Sequence, residues 1–223
     1  MGYWTLFIVL MILGVVIQST LQSKFTKYSK IPVRNGMSGA EIARKMMEDN
    51  GIYDVRVECI DGQLTDHYNP ITKTVNLSRS VYSGRSIASA AVAAHECGHV
   101  IQHATGYAPL KLRTALVPIV SFASNTVQWI LLLGILMINV FPALLWLGIA
   151  LFAMTTLFSF ITLPVEINAS ARAVKWLETA GITDYDTKPM AIDALKWAAY
   201  TYVISAVSSL ATLLYYIGIA RRD

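Results

Sequence analysis

The chain has 223 residues, of which 55% are hydrophobic and only 14% charged, with 18 Lys+Arg against 14 Asp+Glu. A soluble domain carries roughly 25% charged residues, so lipid must supply part of the solvent. Disorder, a disulfide scaffold and an ordinary cytosolic enzyme are excluded as descriptions of the whole. No charge falls in 1–23, 114–165 or 197–220, and the chain reads as an integral membrane protein.

A spanning helix needs about 20 mainly apolar residues. The stretch from Tyr3 to about Leu21 is long enough, and it lacks the basic start and small-residue cleavage site of a secretory signal. It is expected to be a retained anchor, residues 1–22. Residues 23–114 face water. Within them, 38–50 reads as an amphipathic helix, with Ser38 as N-cap, Glu41 three residues on and Gly51 as the stop. Residues 52–60 alternate like a strand, Asp61-Gly62 is a turn, and 72–77 is a second strand. An Ala-rich helix over about 86–105 is closed by Gly106 and Pro109.

The charge-free run 114–165 is 52 residues long, which suits two spans rather than one. Asn139 and Pro142 divide it into spans near 116–139 and 143–163, the hairpin of 115–163. A buried hairpin in a soluble core is the alternative, and the lack of charge argues against it. A helical segment, 164–197, leads to a last span near 198–219 within 198–223. The expected fold is therefore mainly α, a multi-pass membrane protein of four transmembrane helices with a small α+β region between the first two. Twelve of the 18 basic residues lie in 24–113 and four in 172–196. The positive-inside rule puts those two segments in the cytoplasm, although Arg221 and Arg222 then fall outside. Topology accounts for the net charge of +4, and without basic–aromatic interleaving no nucleic-acid partner is expected. Cys59 and Cys97 have no framework spacing, so no disulfide is expected.

The chemistry sits at His95-Glu96-Cys97-Gly98-His99. Residues four apart share a helix face, so both imidazoles can reach one metal ion. Glu96 lies about 100° around the helix, placed to meet a water on the metal rather than the metal itself. That suits zinc hydrolysis, in which the ion acidifies water and a carboxylate takes the proton. A catalytic zinc needs a third protein ligand. His103 is too far along the helix, about 12 Å from His95. Glu166 is the better candidate. It is the first charge after Arg113, and a hairpin that crosses and returns brings it back to the face of His95 and His99. Glu178 or an Asp in 184–193 is the alternative.

Other residues invite roles. His67, Tyr68, Tyr82 and Arg172 are candidate oxyanion donors. Strand 72–77 is either an internal strand or an edge that receives an extended peptide. Cys97 reads as a small buried residue, or as a redox-sensitive thiol beside the metal. Ser121, Ser124, Asn125, Thr126 and Gln128, in the first half of the second span, either bind a neighbouring helix or line a recess under the metal.

The segments NGMSGAEIARKM (35–46), LTDHYNP (64–70), VYSGRSIASAAVAAHECGHVIQH (81–103) and LPVEINASARA (163–173) resemble the bacterial YugP-type integral-membrane neutral zinc metallopeptidases. More distantly, the chain is similar to the HtpX and CAAX-prenyl-protein peptidases, which also place two spans between HExxH and a ligand glutamate. The resemblance implies a zincin-like region around the HExxH helix and one zinc per chain held by His95, His99 and Glu166. It implies Glu96 as general base and residence in a bacterial cell membrane, and the Lys/Arg count turns the site to the cytoplasm. Asn69 and Asn168 stand where the YugP type has Asp. Ser170 stands where the HtpX-like pattern has an Asp that orients a ligand imidazole. Asn168, Ser170 and Arg172 thus become candidates for orienting the ligands, with a weaker zinc site expected than a carboxylate would give.

The expected function is a membrane-embedded zinc endopeptidase acting on protein or peptide substrates at the cytoplasmic surface. The alternative is a non-catalytic, zinc-stabilised scaffold or adaptor. A membrane-protein partner and self-association are both left open.

Overall fold

The computed structural model describes residues 3–221; Arg222 lies outside them. Helix α1 spans Tyr3–Tyr28, six residues beyond the expected anchor, because nothing in Ser23–Tyr28 breaks a helix. Its end is fastened where Tyr28 donates to Asp193 (2.6 Å) and Lys24 pairs with the same carboxylate (2.7 Å).

Helix α2 is Gly39–Asp49, and its start is a complete capping box. Glu41 N–H donates to Ser38 Oγ (3.3 Å), and Ser38 N–H donates to Glu41 Oε2 (2.6 Å). Such a cap stabilises a helix by about 1 kcal/mol. Gly51, at φ +69°, takes the left-handed conformation that ends it.

Three short strands follow: β1 (Arg56–Ile60), β2 (His67–Asn69) and β3 (Thr74–Ser78). Their order is β1-β3-β2, with β1 parallel and β2 antiparallel to β3. One boundary is corrected here: the first strand begins at Arg56 rather than 52. Of the two readings of the strand expected at 72–77, the internal one holds, since β3 is buried along its whole length and paired on both sides, so it offers no edge to a peptide. The sequence reading had no β2; its three residues are too few to show alternation.

A single turn, α3 (Arg79–Tyr82), leads to α4 (Ile87–Ala104), the central helix. Ser86 caps α4 by accepting from Ser89 N–H (3.2 Å). Its many alanines let neighbours close on all sides. The main core joins α2, β3, α4 and the end of α6 (Pro142–Thr179) through Ile42, Met46, Leu77, Val100 and Leu177, all at most 1% exposed.

Helix α5 spans Ala108–Leu136 and α7 spans Lys188–Ala220. By length and composition, α1 from Trp4, α5, α6 and α7 can each cross a membrane. Met137–Phe141 forms the turn between α5 and α6, and Pro142 opens α6 where its missing N–H costs nothing. The boundaries expected at 116, 163 and 198 are corrected, because all three helices run on past their apolar stretches. α6 has 38 residues, about 57 Å at 1.5 Å each, against a hydrocarbon core of about 30 Å. It is one rod with an apolar half and a half that joins the main core.

α4 crosses α6 at Gly98. A Cβ there would sit 2.6 Å from the carbonyl oxygen of Ala169 and 3.0 Å from its Cα. Backbone cannot yield as a side chain tip can. Gly98→Ala gains up to about 1 kcal/mol of helix propensity, but overpacking costs about 1–3 kcal/mol. The variant should therefore melt lower in detergent than the wild type, as circular dichroism would record.

Candidate metal centre

The α4–α6 crossing brings three ligand groups together. His95 and His99, one turn apart on α4, face Glu166 on α6, and the ligand atoms of all three lie within 4.8 Å of one another. His95 Nε2 is 3.2 Å and His99 Nε2 is 3.5 Å from the same oxygen, Glu166 Oε2. Glu166 is 3% exposed and His99 9%, so water cannot satisfy them.

The far side of each imidazole is held. Ser170 Oγ lies 3.1 Å from His95 Nδ1. Gln102 Oε1 lies 3.0 Å from His99 Nδ1. Gln102 donates through Nε2 to the carbonyl of Val165 (2.8 Å) and to Asn168 Oδ1 (3.0 Å), and Arg172 Nε donates to that same Oδ1 (2.8 Å). Because the amide nitrogen of Gln102 is committed to two acceptors, its Oε1 must accept from His99. The proton is thereby placed on Nδ1, and the Nε2 lone pair points at a carboxylate oxygen.

Two electron-rich groups at that distance repel unless a cation lies between them. Burial disfavours a charged His99, but the Glu166 carboxylate and the charge of Glu96 more than offset this, holding the imidazole above its ordinary pKa. The site therefore attracts positive charge. Two imidazole nitrogens and a carboxylate oxygen form a donor set suited to zinc, and these residues fit that ion.

Glu96 follows His95 directly and is 8% exposed. Among the described residues it forms no side-chain hydrogen bond or ion pair. Thr183 Oγ1 is the one fully buried side-chain oxygen or nitrogen without a partner among the described residues, so the Glu96 carboxylate keeps a path to water, and it stands beside the ligand trio with its charge felt by His99.

Of the residues singled out in the sequence, Ser170 and Asn168 are in the network around the trio, and Arg172 joins it through Asn168. His67 is engaged with Thr65 and Asn76, Tyr68 with His103 and Tyr82 with Arg44. None of these bonds reaches the trio. Cys97 points to the other side of α4, donating to the carbonyl of Ala43, and burial pushes its thiol pKa up. That removes the reading of a reactive thiol beside the metal.

Three residues were missed. Gln102 is one. Arg113 Nη1 lies 3.5 Å from Glu166 Oε1, and Tyr202 on α7 lies near the same carboxylate. Arg113 did leave a signal, since it and Glu166 bracket the charge-free run. Tyr202, one of 11 tyrosines, left none.

Gln102→Leu tests the tautomer argument. It keeps the bulk and removes both ends of the link, so zinc affinity should fall about 10–100-fold with helix content unchanged. Competition against a chromogenic chelator measures this; an unchanged affinity would show that Gln102 does not orient His99.

A His-His-Glu cluster next to an unpaired glutamate thus forms where α4 crosses α6, a helix long and apolar enough to span lipid. The profile of the family described as "Putative neutral zinc metallopeptidase" matches residues 3–221, and the chain belongs to that family. The chain is also similar to the protein named "Putative membrane protease YugP" of Bacillus subtilis (strain 168), at 43% identity over 202 residues, 91% of this chain and 89% of that protein. No solved structure matches the chain significantly.

Proposed function

We propose that this protein is a zinc-dependent endopeptidase of the zincin-like, glutamate-ligand type, cleaving protein or peptide substrates at the cytoplasmic face of a bacterial cell membrane. The observation that carries the reading is the carboxylate of Glu96, unpaired with any other described side chain yet within reach of water, beside three ligand groups that converge on one point. A purely structural zinc site has no use for such a base. Ser170 and Asn168 no longer favour a scaffold, because both are engaged in holding the imidazoles or the glutamine behind them.

His95, His99 and Glu166 would hold one zinc ion per chain. Bound there, zinc would supply Lewis-acid polarisation of the scissile carbonyl and acidify the attacking water. Glu96 accepts the proton of that water and returns it to the leaving amine. Ser170 and Gln102 keep each Nδ1 occupied, so both Nε2 atoms stay aimed at the ion. Arg113 holds the second oxygen of Glu166 and fixes its rotamer. Tyr202 is the hydroxyl best placed to donate to a developing oxyanion. The basic residues of 24–113 and 172–196 support the cytoplasmic placement of the site.

The test is hydrolysis of casein or a fluorogenic peptide library by the purified, detergent-solubilised protein. Activity should vanish on chelation and return with zinc. Cleavage that survives in Glu96→Gln at the wild-type level would mark it as a contaminant's.

A further inference from the structure

α5 and α7 each pack along α6 but scarcely touch one another, and both approach Glu166, through Arg113 and Tyr202, so they flank one face of α6 and the gap between them is a cleft with α6 as its floor. At its cytoplasmic end stand Arg113 of α5, Tyr202 of α7 and Glu166 of α6. The α5 wall is polar where lipid would demand an apolar face. Ser121, Ser124, Asn125 and Gln128 are all exposed, although this helix carries no charge after Arg113. At about 100° per residue, Ser121, Ser124 and Gln128 lie within about 80° of Arg113, so the stripe continues from the metal centre into the membrane. On the floor, Ser159 precedes Glu166 by two turns on the same face. On the opposite wall, Ser205 follows Tyr202 by one turn and is exposed.

Resting on the peptidase reading above, we infer that this cleft receives a membrane-embedded segment of a protein substrate, delivered from the lipid side to His95, His99 and Glu166. The chemistry of the lining favours this occupant. A peptide bond inside a helix must be unwound before it can be hydrolysed, and unwound backbone in lipid leaves N–H and C=O groups without partners. Hydroxyls and amides along the cleft supply those partners, and do so on the side that leads to the metal ligands. An interface between two copies would have no need to end at Arg113 and Glu166.

The experiment uses the full-length Glu96→Gln protein, loaded with zinc, in lipid nanodiscs. The probe is a single-span reporter polypeptide with a glycine-containing segment at its cytoplasmic end. A photoreactive benzoylphenylalanine at position 124 should crosslink to the reporter span, and one at position 122, about 160° around α5 from it, should not. In the otherwise wild-type background, the double variant Ser124→Leu, Gln128→Leu should cleave the reporter about tenfold less efficiently. It should cleave a soluble peptide of the same scissile sequence at the wild-type rate, with unchanged zinc content.

No reporter crosslink from 124, or crosslinks between two copies of the chain in its place, would overturn the inference. So would equal loss on both substrates, or reporter cleavage unaffected by the double variant. Soluble-peptide cleavage without a crosslink keeps the peptidase and removes the cleft. A crosslink with no cleavage of either substrate by the wild type keeps the cleft as a binding groove and removes the peptidase.

Discussion

Glu96→Gln should lose at least about 10²–10⁴-fold in kcat/KM, the range for removing a positioned general base. The substitution replaces one carboxylate oxygen by an amide and changes little in shape. Glu96 forms no bond with another described side chain, so no structural link is broken. Its oxygens keep a path to water, so an amide is solvated there as the carboxylate is. The melting temperature should therefore hold while cleavage disappears. Loss of rate without loss of stability is the signature of a residue kept for chemistry. Loss of both together would make Glu96 a packing residue.

Glu166→Gln should weaken zinc binding by about three orders of magnitude or more, since it removes the anionic ligand from a three-ligand site. The effect on the fold should be smaller. An amide can still accept from Arg113 and lie against both imidazoles, but the charge that offsets Arg113 and attracts the cation is gone. Competition with a chelator separates affinity from unfolding, and a circular dichroism spectrum recorded on the same sample reports helix content. If zinc affinity were unchanged, Glu178 or an Asp of 184–193 would have to be the ligand. Glu178 pairs instead with Lys188 (2.6 Å), and Asp184 accepts from the backbone of Asp186 and Thr187.

Features governed by local chemistry were legible in the sequence. Ser38 and Glu41 announced a capping box because both partners lie within one turn. The turn at Asn139 and Pro142 followed from a proline in a run too long for one span. His95 and His99 could be placed on one face by helix period alone, and Glu166 by its return across the hairpin. What depended on tertiary pairing was hidden. Nothing in His67–Asn69 distinguishes a strand from a loop until β3 lies beside it. The continuation of α6 through Lys175 and Glu178 was missed because charge was read as the end of a span, although charge ends an apolar surface without ending a helix. Gln102 sits three residues after His99, near enough to be noticed. Its role depends on Asn168 and the Val165 carbonyl, which arrive from more than 60 residues away.

The central claim is that His95, His99 and Glu166 hold a single zinc ion, and zinc per chain in purified, folded protein tests it most directly. About one zinc in the wild type and in Glu96→Gln, with little in Glu166→Gln, is the predicted result. A folded wild type without zinc, or a Glu166→Gln variant that keeps its full complement, would contradict it.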